Sequence, residues 1–259
     1  MPINFHDEQN KHTYATRSAD HSWIRVIAAN ANITHKQIAD IGCGGGIYTK
    51  ALSEMGAAHI TGVDFSDNML QAAAHNCAHL SNVAFQKGTA YQANLPAQKL
   101  DIVLERALIH HLDDLDACFR EAARLLKRNG MLIIQDRTPQ DCLLPGDCHH
   151  IRGYFFEQFP RLIDREINSR YDSTSVQQAL EANGLRVTQT ISLWETRKVY
   201  GNLDELQQDL LLRTGRSILH ELTDEQLQEL VFYIVGKLAN HQAPIIEQDR
   251  WTLWFAVKE

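Results

Sequence analysis

Two acids and a run of glycines are the residues of this chain with the clearest chemical use. The run Asp40-Ile41-Gly42-Cys43-Gly44-Gly45-Gly46 follows a short apolar stretch, Ile38-Ala39, and helical spacing resumes at Ile47. Glycines at 42, 44 and 46 let the backbone turn tightly and press its N–H groups against a ligand, because no Cβ intervenes. The helix that follows directs its positive end to the same spot. A dinucleotide fingerprint, G-x-G-x-x-G, needs a small third residue, and Ile47 stands there instead. Asp40 at the head of the loop repels a pyrophosphate and attracts a ligand carrying ammonium and sulfonium charge. Taken alone, the loop also reads as an ordinary glycine-rich turn.

The second acid, Asp64, closes the apolar run His59-Ile60-Thr61-Gly62-Val63. It lies ~20 residues past the loop, where a Rossmann-type fold presents a carboxylate to ribose hydroxyls. A carboxylate suits a vicinal diol because it accepts two hydrogen bonds at once. The alternative is an acid that only caps the next helix.

These residues need strands that end beside one another. Gln37–Ile41, His59–Asp64, Val83–Gln86, Leu100–Leu104 and Met131–Gln135 read as strands. Helices are expected over Ala19–Asn30, from Ile47, from the cap Ser66 to Leu80, and over Leu115–Lys127, the last stopped by Asn129-Gly130. That alternation predicts an α/β fold with a parallel sheet wound on both faces. Past Pro139 the rhythm changes. Val176–Asn183 reads as helix and Leu185–Trp194 as extended. A helical pair follows, its second member opened by a Thr223–Gln226 capping box and striped by Leu227, Leu230, Val231, Ile234 and Leu238. The final strand is Trp251–Val257. The pair reads as a hairpin on the sheet edge or a lid over an acceptor pocket.

With 259 residues, 44% of them apolar, the chain can bury a large core without disulfides. A net charge of -7 argues against a phosphate-backbone binder, so no nucleic acid is expected as a partner. The cysteines Cys43, Cys77, Cys118, Cys142 and Cys148 form no C-x-x-C pair and suit a reducing compartment. Cys142, Cys148, His149 and His150 fit no common zinc spacing, so no metal is expected. No signal-like leader or membrane-length apolar run is read, so the expectation is a cytoplasmic protein, a monomer or homodimer, with no membrane contact.

Taken in order, the motifs resemble those of the class I S-adenosylmethionine (SAM) dependent methyltransferases, with a type 11 methyltransferase domain. The likeness spans roughly residues 36 to 137. Asp40–Gly46 resembles the first motif, D/E-x-G-x-G-x-G, and Gly62-Val63-Asp64-Phe65-Ser66 with Asn68-Met69-Leu70 the second. Gly88-Thr89-Ala90 with Asn94-Leu95-Pro96 is similar to the third, Leu100–Glu105 to the fourth, and Ala122–Leu132 to the helix-turn-strand ending in L-K-P-G-G. The resemblance implies SAM as cofactor, held by Asp40, Gly42, Gly44, Gly46, Asp64, Phe65, Met69, Thr89, Ala90 and Glu105. Phe65 and Met69 would line the adenine, although both also suit a core. Thr89 stands where relatives carry an Asp for the adenine amino group, and Ala90 would act through its N–H.

The resemblance also implies a Rossmann-like, doubly wound, mostly parallel seven-stranded sheet with a helical insertion, about 202–242, before the last strand. One domain over 1–259 is expected: an N-terminal cap over 1–35, a SAM-binding core over 36–137 and a substrate-side region over 138–259. His111 matches the family's h-H-L segment and could take a proton from an acceptor; the alternative is a capping histidine. Arg106, Arg152 and Tyr154 are candidates for holding the acceptor, against surface pairing or plain packing. Tyr14 and Arg17 are candidates for folding over the cofactor. Glu105-Arg106-Ala107-Leu108 lacks the D/N-P-P-Y/F element of base and amide N-methylases. The nearest group includes quinone-biosynthesis C-methyltransferases. The implied activity is methyl transfer by in-line displacement to a small-molecule acceptor, EC class 2.1.1.-, which needs positioning more than covalent catalysis. The alternatives are a SAM-binding module without catalysis, a methylase of tRNA or protein, and a nucleotide-dependent oxidoreductase.

Overall fold

The computed structural model of the chain describes residues 18–259; Tyr14 and Arg17 lie outside the described residues. In chain order the elements are α1 (His21–Asn30), β1 (Gln37–Ile41), α2 (Ile47–Glu54), β2 (His59–Asp64), α3 (Asp67–Asn76), β3 (Val83–Lys87) and β4 (Leu100–Arg106). Then come α4 (Leu115–Leu125), β5 (Leu126–Asp136), α5 (Pro139–Cys142), α6 (Gly153–Gln158), α7 (Leu162–Asn168) and α8 (Ser173–Ala182). The chain ends in β6 (Leu185–Tyr200), α9 (Leu203–Leu211), α10 (Asp224–Leu238) and β7 (Ile245–Lys258). The chain divides into two compact units. A sheet unit runs up to Asp136 and includes Ser173–Leu193 and Thr252–Glu259; a helical unit comprises Arg137–Asp172 and Trp194–Trp251.

The sheet is seven-stranded, in the order β3-β2-β1-β4-β5-β7-β6. β1 pairs in parallel with β2 and β4, with Asp40 opposite Gly62 and Ile41 opposite both Val63 and Glu105. β4 pairs in parallel with β5, whereas β7 runs antiparallel to β5 with Asp136 opposite Thr252. This register aligns the carboxyl ends of β1, β2 and β4, the edge at which open α/β sheets bind ligands. Central strands are covered on both faces, so they read as continuous apolar runs; Ile38, Ala39, Val103, Leu104, Ile133 and Ile134 are all buried.

Local signals set most boundaries. Ser66 caps α3 by accepting from Met69 N at 3.4 Å, and Asp114 caps α4 by accepting from Ala117 N at 2.9 Å. α1 begins at His21, two residues later than expected, because the Asp20 carboxylate caps it. α3 stops at Asn76, short of Leu80. α4 ends at Leu125, because Leu126 already has extended backbone and pairs with Leu100. Asn129, at φ 63°, then carries the turn within β5, the left-handed conformation that Asn tolerates.

In the helical unit, the expected capping box opens α10 and the expected stripe is buried, Leu227, Leu230, Val231, Ile234 and Leu238 together. They pack in one apolar cluster with Phe155, Tyr200, Leu206 and Leu210. Beside this cluster lie two buried ionic networks. Glu166 accepts from Arg152 Nη1 at 2.9 Å and also pairs with Arg170. Arg216 reaches Asp209 at 2.6 Å and Glu247 at 2.7 Å, with the Tyr200 hydroxyl 2.9 and 2.8 Å from the same two acids. Burial works to raise the carboxyls of Glu166 and Asp209; the arginines facing Glu166, and Lys198 with Arg216 and Arg197 facing Asp209, overcome it and hold both below the usual range. Among the described residues, no helix is long and apolar enough to cross a membrane.

Candidate functional site

The glycine loop leaves β1 and is bound to the end of β2. The N–H groups of Gly42 and Cys43 both donate to Val63 O, at 2.7 and 3.0 Å. Gly42, Gly44 and Gly46 all have positive φ, at 72°, 51° and 80°, where a side chain would be strained. Their tasks differ. A Cβ on Gly42 would lie 2.9 Å from Leu108 Cδ1, and one on Gly46 would lie 3.1 Å from Ala73 Cβ. Those two glycines let the loop approach β4 and α3. A Cβ on Gly44 would meet nothing within 4 Å, so its backbone faces open space.

Asp64 ties the loop to the second strand. Its Oδ2 accepts from Gly44 N and its Oδ1 from Ser66 N, each at 2.9 Å. The Phe65 N–H bonds to this carboxylate too, and of its roughly four acceptor sites some capacity remains toward a ligand. Burial nevertheless raises its carboxyl above the usual range. Asp40 is buried and accepts from the Thr49 hydroxyl at 2.6 Å. Burial, with Asp64 nearby, pushes its carboxyl up to about 6. Burial and the two acids raise the Cys43 thiol as well, so it is no nucleophile.

The residues expected around an adenine gather beside these acids. Phe65 is half exposed at 49%, beside a cavity of about 320 Å³ lined also by Lys87, Gly88, Thr89, Gln92 and Asn94. Met69 is buried in α3. The Thr89 Oγ1 accepts from Tyr91 N and Gln92 N, at 3.3 and 3.1 Å, so it shapes the turn. Among the described residues, the Ala90 N–H has no hydrogen-bond partner. A larger hollow, about 490 Å³, lies at the amino end of β1 among Ala28, Asn30, Asn32, Ile33 and Met55 and holds no charged side chain. An open glycine backbone, a diol-ready carboxylate, a free N–H and a cavity walled by one aromatic face fit an adenosyl group with a cationic tail.

The end of β4 carries the remaining candidates. Glu105 is buried and faces Cys118 on α4, whose Sγ lies 3.4 Å from both carboxylate oxygens; burial pushes its carboxyl up to about 8. Arg106 lays its guanidinium over the Tyr48 ring, 4.0 Å from the centroid, and its Nε donates to Gln135 Oε1 at 3.1 Å. Ala107 then takes φ 50°, and its N–H donates to Gln135 O at 2.8 Å. That left-handed residue reverses the chain, seating Leu108 against Gly42 and opening a 3-10 turn over Ile109–His111.

In that turn the structure singles out His110. Its Nδ1 lies 2.9 Å from both Asp136 oxygens, and its backbone N–H donates to Asp136 Oδ2 at 3.3 Å. His111, the candidate from the family segment, is exposed, and its ring centroid lies 3.9 Å from that of His110 with the planes tilted by 44°. Sequence reasoning named His111 in this turn and passed over Asp136 and Gln135, the partners that His110 and Arg106 meet here. The only signal for them was their position at the carboxyl end of β5.

Arg152 and Tyr154, expected to hold the acceptor, are interior residues of the helical unit. Arg152 is committed to Glu166, and Tyr154 lies in the apolar cluster against Tyr233. Spacing gave no sign of Glu166, the partner that draws Arg152 inward. Among the described residues, no group of three or more His, Cys, Asp or Glu side chains is gathered to hold a metal.

The methyltransferase domain family matches residues 39–134. An uncharacterized methyltransferase of Bacillus subtilis is 30% identical over 131 residues, 49% of this chain and 51% of the relative. A ubiquinone biosynthesis O-methyltransferase of Neisseria meningitidis is 31% identical over 126 residues, 46% of this chain and 52% of the relative. The chain thus spans about half the length of the curated relatives it matches. A solved structure, a putative methyltransferase from an antibiotic biosynthesis pathway of Anabaena variabilis, superposes with a TM-score of 0.68 at 21% identity, covering 93% of this chain and 99% of that one. Geranyl diphosphate C-methyltransferase of Streptomyces coelicolor, solved with S-adenosyl-L-homocysteine, gives 0.56 at 13% identity over 92% and 78%. At such identities the likeness to the solved structures is one of fold.

Proposed function

We propose that this chain, which carries a methyltransferase domain over residues 39–134, uses SAM to methylate a small-molecule acceptor. The observation that carries the reading is the bond from Gly44 N to Asp64 Oδ2, which fixes an open glycine backbone against a carboxylate at one strand edge. Asp64 accepts from the ribose hydroxyls, the Ala90 N–H and the Phe65 face meet the adenine, and Asp40 and Asp64 favour the cationic end. When bound, SAM supplies a sulfonium-activated methyl group. The chain's part is to hold the acceptor in line, a contribution of about 7–11 kcal/mol where alignment is good.

Calorimetry of the purified protein with S-adenosylhomocysteine tests this. Micromolar binding at one site is expected, and a flat titration at high protein concentration would overturn the reading. Transfer of label from methyl-labelled SAM into a metabolite extract separates a methyltransferase from a binding module.

A further inference from the structure

Resting on that reading, we infer that the acceptor's reacting atom is a hydroxyl oxygen, that His110 is its general base, and that Asp136 is the residue that positions His110. Asp136 is almost fully enclosed, with its side chain 2% exposed, whereas that of His110 is 19% exposed. An ionised carboxylate can only accept, so the bond with both its oxygens places the imidazole proton on Nδ1. Nε2 then carries the lone pair, and among the described residues no group bonds to it. A base held by a third group, with its second nitrogen left for the substrate, is the arrangement that general-base catalysis requires.

The position suits the reaction. Leu108, two residues before His110, touches the glycine loop at Gly42, so the histidine turn is packed onto the wall of the cofactor crevice. Arg106 and Gln135 stand at the ends of the same strands, β4 and β5. An amine attacks through its lone pair before it loses a proton, and a carbon nucleophile through its π electrons. A neutral hydroxyl is a poor nucleophile until its proton leaves, so it gains most from a fixed imidazole. In the step, the acceptor oxygen forms the bond to the methyl carbon and the carbon–sulfur bond breaks. Its electron pair stays on sulfur as a neutral thioether. The hydroxyl proton passes to His110 Nε2, giving an imidazolium next to the Asp136 carboxylate, and then to solvent.

Two measurements on the full chain test this. Nitrogen-15 spectra of the histidines, with His110 assigned by its absence in His110→Gln, should show the Nδ1–H form in the native protein and a mixed population in Asp136→Asn. In a metabolite extract supplied with carbon-13 methyl SAM, the product should carry a methoxyl carbon. Turnover of that product should fall about 10²–10⁴-fold in His110→Gln, and Asp136→Glu should recover part of what Asp136→Asn loses. S-Adenosylhomocysteine binding should stay within about twofold in all three variants.

Several results would overturn the inference: a product methylated on nitrogen, sulfur or carbon, an extract with no methoxyl product, a proton found on Nε2, or full turnover in His110→Gln. His111→Gln losing as much as His110→Gln would do the same. Failure of the native protein to bind S-adenosylhomocysteine would instead remove the reading on which the inference rests.

Discussion

The side chain of Leu108 fills the place that a Cβ on Gly42 would need, its Cδ1 2.9 Å from that point. The contact joins the glycine loop after β1 to the histidine turn after β4. Gly42→Ala meets both this crowding and a φ of 72°. The left-handed backbone costs about 1–2 kcal/mol and the overpacking about 1–3 kcal/mol. Denaturant unfolding should show their sum, and adding Leu108→Ala should recover only the crowding part. Additive losses in the double mutant would mean that the contact does not exist.

Asp64 holds the Gly44 N–H and faces the proposed ribose position. Asp64→Ala should weaken S-adenosylhomocysteine binding at least tenfold, since one charge-assisted hydrogen bond contributes about 1.5–3 kcal/mol. Titration calorimetry measures this. Unchanged affinity would remove Asp64 from the cofactor site.

Glu105 gives a pH dependence of definite sign. Its folded-state carboxyl is pushed up to about 8 by burial. A raised carboxyl favours the fold while protonated, so its contribution is complete below the ordinary glutamate pKa. It is then lost as pH rises to about 8, at about 1.4 kcal/mol per pH unit. Glu105→Gln cannot titrate and should be the more stable protein at alkaline pH, with the difference vanishing near pH 4.5, glutamate's ordinary value. Parallel stability curves for the two proteins would contradict the burial argument.

The helical unit has the opposite acid behaviour. Despite their burial, Glu166, Asp209 and Asp249 are held below the usual carboxylate range by the cations around them, arginines throughout and Lys198 first at Asp209. Their stabilisation is present above the unfolded-state pKa and lost as pH falls through the acid range, so the unit should unfold in acid. Arg216→Met takes the nearest guanidinium from buried Asp209 and Glu247, leaving them Arg197 and, for Asp209, Lys198, and should cost about 3–5 kcal/mol. A loss below ~1 kcal/mol, the scale of a surface pair, would show that water reaches the network.

Ala107 holds a left-handed backbone without being glycine, at φ 50°. Ala107→Gly should leave stability within ~1 kcal/mol, because relief of strain offsets the added freedom of the unfolded chain. Ala107→Val should destabilise by about 1–3 kcal/mol, since a β-branched residue fits that region worst. Thermal unfolding distinguishes them. Equal effects would mean that the turn relaxes.

Patterns confined to a few neighbouring residues were legible in the sequence. The glycine loop, the acid at Asp64, the strands flanking them, the Ser66 cap and the Thr223–Gln226 box all appear as read. What was not legible depends on partners far along the chain. Of the two histidines, His110 is the one that meets Asp136, 26 residues away. Arg152 looked available for an anion until Glu166 folded against it. Leu126 has a helical neighbourhood in sequence, but pairing with Leu100 makes it strand. A local reading could place the edge of the crevice but could not say which side chains turn into it.

The antiparallel entry of β7 has a consequence for synthesis. Residues Met131–Asp136 find their second neighbour only in Thr252–Val257. While the ribosome is still making the intervening helices, β5 is an open edge, with N–H and C=O groups able to recruit a foreign strand. The nascent chain is therefore prone to mispairing until Thr252–Val257 has been made, and the segment that closes this window also seals the strand ending in Asp136.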